Sequence, residues 1–291
     1  MFKRKPKENK VPYTKAMLPS CRREVFFDVV KLHYIELITI GLVLFAFALP
    51  MIANVLVTDL YTAQLSGGVA GAGTGDEVAQ LLHESAIVQI TSSLIAIPLL
   101  SLLFVGLAGV VRIIRQYAWG EVVFLFRDFS LGIKQNAKHM ALLGAIVGCV
   151  LAGNAYLYNM AEVNNNVQMM YIASALGAVS LLFLLPVGTY MMVCIPIYGN
   201  TFAQNFVQAY AIYMKEPIKT LLMLLCCFGL WALWLIPNTA VHFALLIVGT
   251  IGMPFILLGC FLFSYNQLDK YVNEEKHPEL VKKGVYFEKD E

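Results

Sequence analysis

Charge is what this 291-residue chain has least of: Asp, Glu, Lys and Arg make up 14% of it, and the formal net charge is +2. So weak a field excludes nucleic-acid binding through a broad basic surface. The shortage of polar residues also excludes intrinsic disorder. The six cysteines, Cys21, Cys149, Cys194, Cys226, Cys227 and Cys260, lie on the amino-terminal arm or inside apolar runs, which excludes a disulfide-stapled secreted scaffold. The histidines His33, His83, His139, His242 and His277 are scattered, and no two stand at metal-ligand spacing. No serine occupies a nucleophile elbow, and no carboxylate pair is set for acid and base work. No catalytic residue, metal or cofactor is therefore expected, and the chain does not read as an enzyme. Glycines 67, 68, 71, 73 and 75 follow no strand and precede no Lys-Ser or Lys-Thr. They read as a flexible linker within residues 58–85, not as a phosphate cradle.

What the chain has in quantity is apolar sequence: 59% hydrophobic residues and a mean hydropathy of +0.69, far from the soluble average. A bilayer core about 30 Å thick takes roughly 20 apolar residues of helix, because backbone amides in lipid must bond within their own helix. Six runs meet that length, and the fold class expected is all-α: a polytopic membrane protein with spans at 35–57, 86–111, 139–159, 171–196, 218–236 and 240–263. Residues 1–34 then form a basic arm and interfacial helix, 35–263 the membrane domain, and 264–291 a tail. The surroundings implied are a lipid bilayer, with no nucleic acid.

Orientation follows from the cations, which are retained on the cytoplasmic side. All 21 Lys and Arg residues precede span one, separate spans two and three, separate spans four and five, or follow span six. Both termini are expected to be cytoplasmic. Aromatics near span ends, Trp119, Tyr156, Tyr158, Tyr198, Trp231, Trp234 and Tyr265, agree with interfacial belts.

The span interiors hold no Asp, Glu, Lys or Arg; Glu36 and Arg112 sit at inner ends. That argues against ion coupling through buried carboxylates. Thr91, Ser92, Ser93, Ser101, Asn154, Ser180 and Thr189 are the neutral polar groups available, either for packing between helices or for a small ligand. Pro98, Pro186 and Pro254 stand inside spans and permit kinks.

Three stretches facing the basic side show helical periodicity. From Ser20, a plausible N-cap, Val25, Phe26, Val29 and His33 recur at helical spacing and suggest an interfacial helix. In 118–138, Trp119, Val122, Val123, Phe126, Phe129, Ile133 and Ala137 recur every three or four positions, predicting an amphipathic helix after span two. In 201–217, Phe202, Phe206, Ala209, Tyr210 and Tyr213 do the same, with Thr201 and Gln204 as a capping box and Pro217 as the stop. At an offset of 81, Lys134 meets Lys215 and Lys138 meets Lys219. This is either a tandem hairpin repeat or the general likeness of any span, basic linker and span.

Residues 106–144 carry a more specific pattern: Gly106 and Ala108 ending a span, Arg112 and Arg115, Gly120-Glu121, then Phe126-Arg127-Asp128-Phe129 and Lys134-Gln135-Asn136. This segment resembles the signature of the YesL-like family of uncharacterised bacterial integral membrane proteins. The resemblance implies a six-helix protein of the bacterial plasma membrane, often encoded beside carbohydrate-uptake transporters, and supplies no catalytic residues. The expected function is an accessory or scaffold component of such a system, in contact with carbohydrate-transporter subunits. The alternatives are a transporter or permease subunit in its own right, or a membrane sensor. Candidate residues are Arg112, Arg115, Glu121, Phe126, Arg127, Asp128, Phe129, Lys134, Asn136 and Lys215, either docking a partner or holding the linker helix by ion pairs between Arg127 and Asp128 and between Arg115 and Glu121.

Overall fold

The computed structural model describes residues 19–71 and 75–286, apart from 230, 232, 234, 235 and 237. The basic arm, Trp234 and the last five residues lie outside the described residues. Every regular element among those described is helical: α1 (Arg22–Gly71), α2 (Gly75–Ala118), α3 (Leu125–Val163), α4 (Val167–Val179), α5 (Leu185–Ile197), α6 (Phe202–Lys215), α7 (Pro217–Phe228), α8 (Thr239–Leu268) and the short α9 (Glu274–Lys276). A π-helical segment, Ser180–Leu184, joins α4 to α5.

Five stretches are long and apolar enough to cross a membrane: α1, α2, α3, the continuous α4 to α5, and α8 with its carboxy-terminal continuation. In α1, α2 and α3 the most apolar stretch is only 28%, 33% and 28% buried. Most of that apolar surface therefore faces outward, as lipid requires and water does not tolerate. Such an arrangement fits a polytopic membrane protein.

The helices pack in chain order where they can. α2 lies along both α1 and α3, and α1 lies along α8. α3 approaches α2 through Gly132, Gly144 and Gly148, where an added Cβ would meet α2 atoms at 2.8, 2.9 and 2.9 Å. Small residues bring the two backbones close enough for dispersion to hold them. The core between α1, α2, α5 and α8 is filled by Leu37, Ile113, Ile114, Tyr190, Phe261 and Tyr265.

Two expectations are corrected and two are refined. The linker read over 58–85 is helical on both sides: α1 continues to Gly71 and α2 begins at Gly75. Glycine's cost of about 1 kcal/mol in a helix is a weak prior, and a Cβ added at Gly68 would meet the Leu81 side chain at 3.4 Å across the paired helices. The helix read over 118–138 is not a separate element. Gly120 has φ +68°, residues 121–124 are outside any helix, with Phe124 extended, and from Leu125 one helix runs into the apolar stretch. Among the described residues, the run read as span five, 218–236, is α-helical over Pro217–Phe228, a rise of about 18 Å, and 3₁₀-helical at 229, 231 and 233. Finally, the offset of 81 aligns Asn136, inside the unbroken α3, with Pro217, where the helix breaks at Glu216. Elsewhere the local signals are seen: Thr201 and Gln204 form a reciprocal capping box on α6. His33 interrupts α1 with φ −123° and ψ 19°, setting Arg22–Leu32 off from the apolar stretch.

Proline explains the π segment. Pro186 has no N–H, so the Leu182 carbonyl four residues back loses its helical donor, and the Leu185 N–H reaches five residues back to Ser180. The Tyr213 hydroxyl, from α6, donates to the freed Leu182 carbonyl at 2.6 Å. Of the three expected kink sites, Pro186 alone coincides with a described change of helix type.

Candidate functional site

The cation-rich end of the helices joins the start of α1, the end of α2, the α2–α3 turn, the end of α5 and the chain after α8. Its centre is aromatic. Trp119 lies between two cations, with Arg115 4.7 Å and Lys283 3.8 Å from its ring centroid. Its ring packs at 5.9 Å against Tyr265, over which Arg22 sits at 4.4 Å. Each cation is also hydrogen-bonded. Arg115 donates to the Pro196 carbonyl at 2.5 Å, capping the carboxy-terminal end of α5. Arg22 donates to the Lys283 carbonyl at 2.6 Å and pairs with Asp269 at 2.8 Å.

Asp269 continues the network. Its carboxylate accepts from Asn273 at 2.8 Å and from the Lys282 backbone at 3.2 Å. Asn273 in turn accepts from the Tyr198 hydroxyl. Burial pushes the Tyr198 phenol above its ordinary pKa and keeps it a donor. The chain end then folds back: the Tyr286 N–H donates to the Pro19 carbonyl at 2.9 Å, and the Tyr265 hydroxyl to the Leu280 carbonyl at 2.6 Å. Gly284, at φ +84°, passes so close to α2 that a Cβ would lie 2.1 Å from the Ala118 carbonyl.

A second cluster forms at the α6–α7 break. Glu216 accepts from Lys270 at 2.8 Å, Tyr271 at 2.7 Å and Gln267 at 3.1 Å, and pairs with Lys219 at 3.0 Å. These donors, Lys270 foremost, hold its carboxyl down at about 2. Beside it, an open groove of about 640 Å³ runs between α6 and residues 271–277, with Val207, Ala211 and Tyr271 in its wall and Lys215 and Lys276 among its lining cations.

The candidate residues divide into two groups. Facing inward are Arg115, Asp128 and Phe129; the Phe129 ring lies 6.0 Å from Phe47. Arg112, half-buried, is held by Gln135. Facing outward are Phe126, at 70% exposure, with Arg127, Lys134 and Lys215. Asn136 is half-buried. Neither expected ion pair forms. Glu121 pairs instead with Lys283 at 3.1 Å, and Asp128 accepts the Phe124 N–H at 2.7 Å at the start of α3, a favourable place for an anion. Arg127 lies 5.7 Å over the Phe124 ring. Sequence reasoning missed Arg22, Asp269, Asn273 and Lys283 as site residues, which no local pattern marks, and read Tyr265 only as a belt aromatic.

No family model, curated protein or solved structure matches the chain. Among the described residues, no group of three or more His, Cys, Asp or Glu is placed to hold a metal ion.

Proposed function

We propose that the protein is an integral membrane protein that crosses the plasma membrane six times with both termini cytoplasmic. On this reading it acts without catalysis, as an accessory or scaffold component of a carbohydrate-uptake system of the kind that the YesL-like resemblance suggests. Support for six crossings comes from which residues meet at each end. Arg22 and Asp269, near the two ends of the described chain, are paired, while Asp59 and His242 pair at 2.9 Å where α1 leaves and α8 enters the opposite end. The fifth crossing then begins with the short α7, Pro217–Phe228. The alternation of cation-rich and cation-free connections favours the same topology.

The observation that carries the docking role is the α6 groove. α6 buries Asn205, Ala209, Ile212 and Tyr213 and leaves Phe206, Val207, Tyr210 and Met214 exposed. Of these Val207 lines the groove, with Ala203 and Ala211 at helical spacing and Lys215 and Lys276 beside them, and that apolar strip beside cations suits an amphipathic helix bearing acidic residues. The test is affinity purification in mild detergent, with a charge-matched six-span protein as control. Recovery of transporter subunits with the wild type, lost in Val207→Glu and Lys215→Glu at normal membrane levels, is expected. Recovery of none from cells grown on several glycans overturns the reading. A second reading, a transporter in its own right, is favoured by one observation: an uncharged cavity midway along the helices.

A further inference from the structure

That cavity lies between α2, α3 and the α4–α5 pair, and the docking reading makes no use of it. It holds about 390 Å³, within the range of small-molecule pockets. Its origin is local. The π segment carries Ser180, Leu181 and Leu184 into its wall, while Gly177 and Gly188 supply no side chain to fill it. Irregular helix of this type is frequent where ligands bind.

The wall specifies its guest. Phe104, Leu151, Leu184 and Met192 make it apolar, and no Asp, Glu, Lys, Arg or His lines it. A charged guest would lose its hydration without a counter-charge. The polar exceptions are Asn154, Ser180 and Thr189. Ser180 and Thr189 each give their hydroxyl proton to a carbonyl of their own helix, Leu176 and Leu185, both at 2.8 Å. The Asn154 side chain reaches across to Gly177, with Nδ2 3.2 Å from where a Cβ would be. Its Oδ1 is buried and meets no donor among the described residues. A buried acceptor without a partner is costly, so the wall calls for a donor from the guest.

We propose that this cavity binds a neutral single-chain lipid bearing a hydroxyl group, its chain against Phe104, Leu151 and Met192 and its hydroxyl donating to Asn154 Oδ1. The site is independent of the groove at α6.

The test uses the full-length protein in phosphatidylcholine nanodiscs and two photoactivatable probes, a diazirine-bearing tetradecanol and the matching hydrocarbon. The alcohol should label residues 147–154 and 177–192 in preference to the hydrocarbon, and unlabelled tetradecanol should compete. Gly188→Leu fills the cavity, and no atom lies within 4 Å of a Cβ at that position. It should lower alcohol labelling about tenfold without shifting the melting temperature, and Asn154→Leu should abolish the preference for the alcohol. Equal labelling by the two probes, or labelling that persists in folded Gly188→Leu, overturns the proposal. If Gly188→Leu does not fold, Asn154→Leu decides: an alcohol preference retained there overturns it equally.

Discussion

At the cation-rich end, Arg22, Trp119, Tyr265, Asp269 and Lys283 come from four stretches of chain and are joined by ion pairs, stacked cations and backbone carbonyls. At the opposite end, α1 and α8 meet through Asp59 and His242, with Asn54 and Thr58 bonded to Ser92 of α2 further in. The difference follows from where the charges are. A guanidinium that is nearly buried, as Arg22 is, demands full partnership, and its partners then fix the chain ends. The opposite end has no Lys or Arg to satisfy, so its helices are registered by neutral contacts and one histidine.

The largest effect should come from breaking the first end at Asp269. Asp269→Ala leaves Arg22 nearly buried without its carboxylate, at a cost of about 3–5 kcal/mol, read as a lowered melting temperature in detergent. Gly284→Ala comes next, at about 2 kcal/mol, since the residue is held at φ +84° against the Ala118 carbonyl. Limited proteolysis should then cut the released tail near 280. His242→Ala at the opposite end should cost about 1–2 kcal/mol, since the Asp59 carboxylate it leaves behind is 28% exposed and can be hydrated. A cost equal to that of Asp269→Ala would erase the contrast between the ends.

The Glu216 cluster sharpens the comparison through pH. Its carboxyl is depressed from 4.5 to about 2, so the folded state binds the proton more weakly than the unfolded state does. The stabilisation is present above pH 4.5 and is lost as the pH falls toward 2. Glu216→Gln should flatten that part of a melting-temperature profile, and the loss near pH 2–4.5 should then be absent from the variant.

How far the sequence could be read depended on the distance between the groups that interact. The apolar runs and the capping box of Thr201 and Gln204 are local and were legible. The partner of Glu121 was not: Lys283 is 162 residues away, and the nearer Arg115 is engaged by Pro196. The 118–138 periodicity was genuine from Leu125 onward, but the left-handed Gly120 and the non-helical residues after it displaced the helix start. Gly67, Gly68 and Gly71 misled because side-by-side packing of α1 and α2 outweighs their poor helix propensity. The cavity was half legible, since Asn154, Ser180 and Thr189 each stood out singly, but only the packing of α3 against the α4–α5 pair brings them to one cavity.

The central claim, that both ends of the chain share one face of the membrane, is tested most directly by labelling single cysteines in intact cells with a membrane-impermeant maleimide. In an otherwise cysteine-free background, Cys21 and Lys276→Cys should both stay unlabelled until the membrane is opened, and Ser66→Cys should label at once. Labelling of Cys21 and Lys276→Cys from opposite sides would contradict six crossings and the assembly built on the Arg22–Asp269 pair.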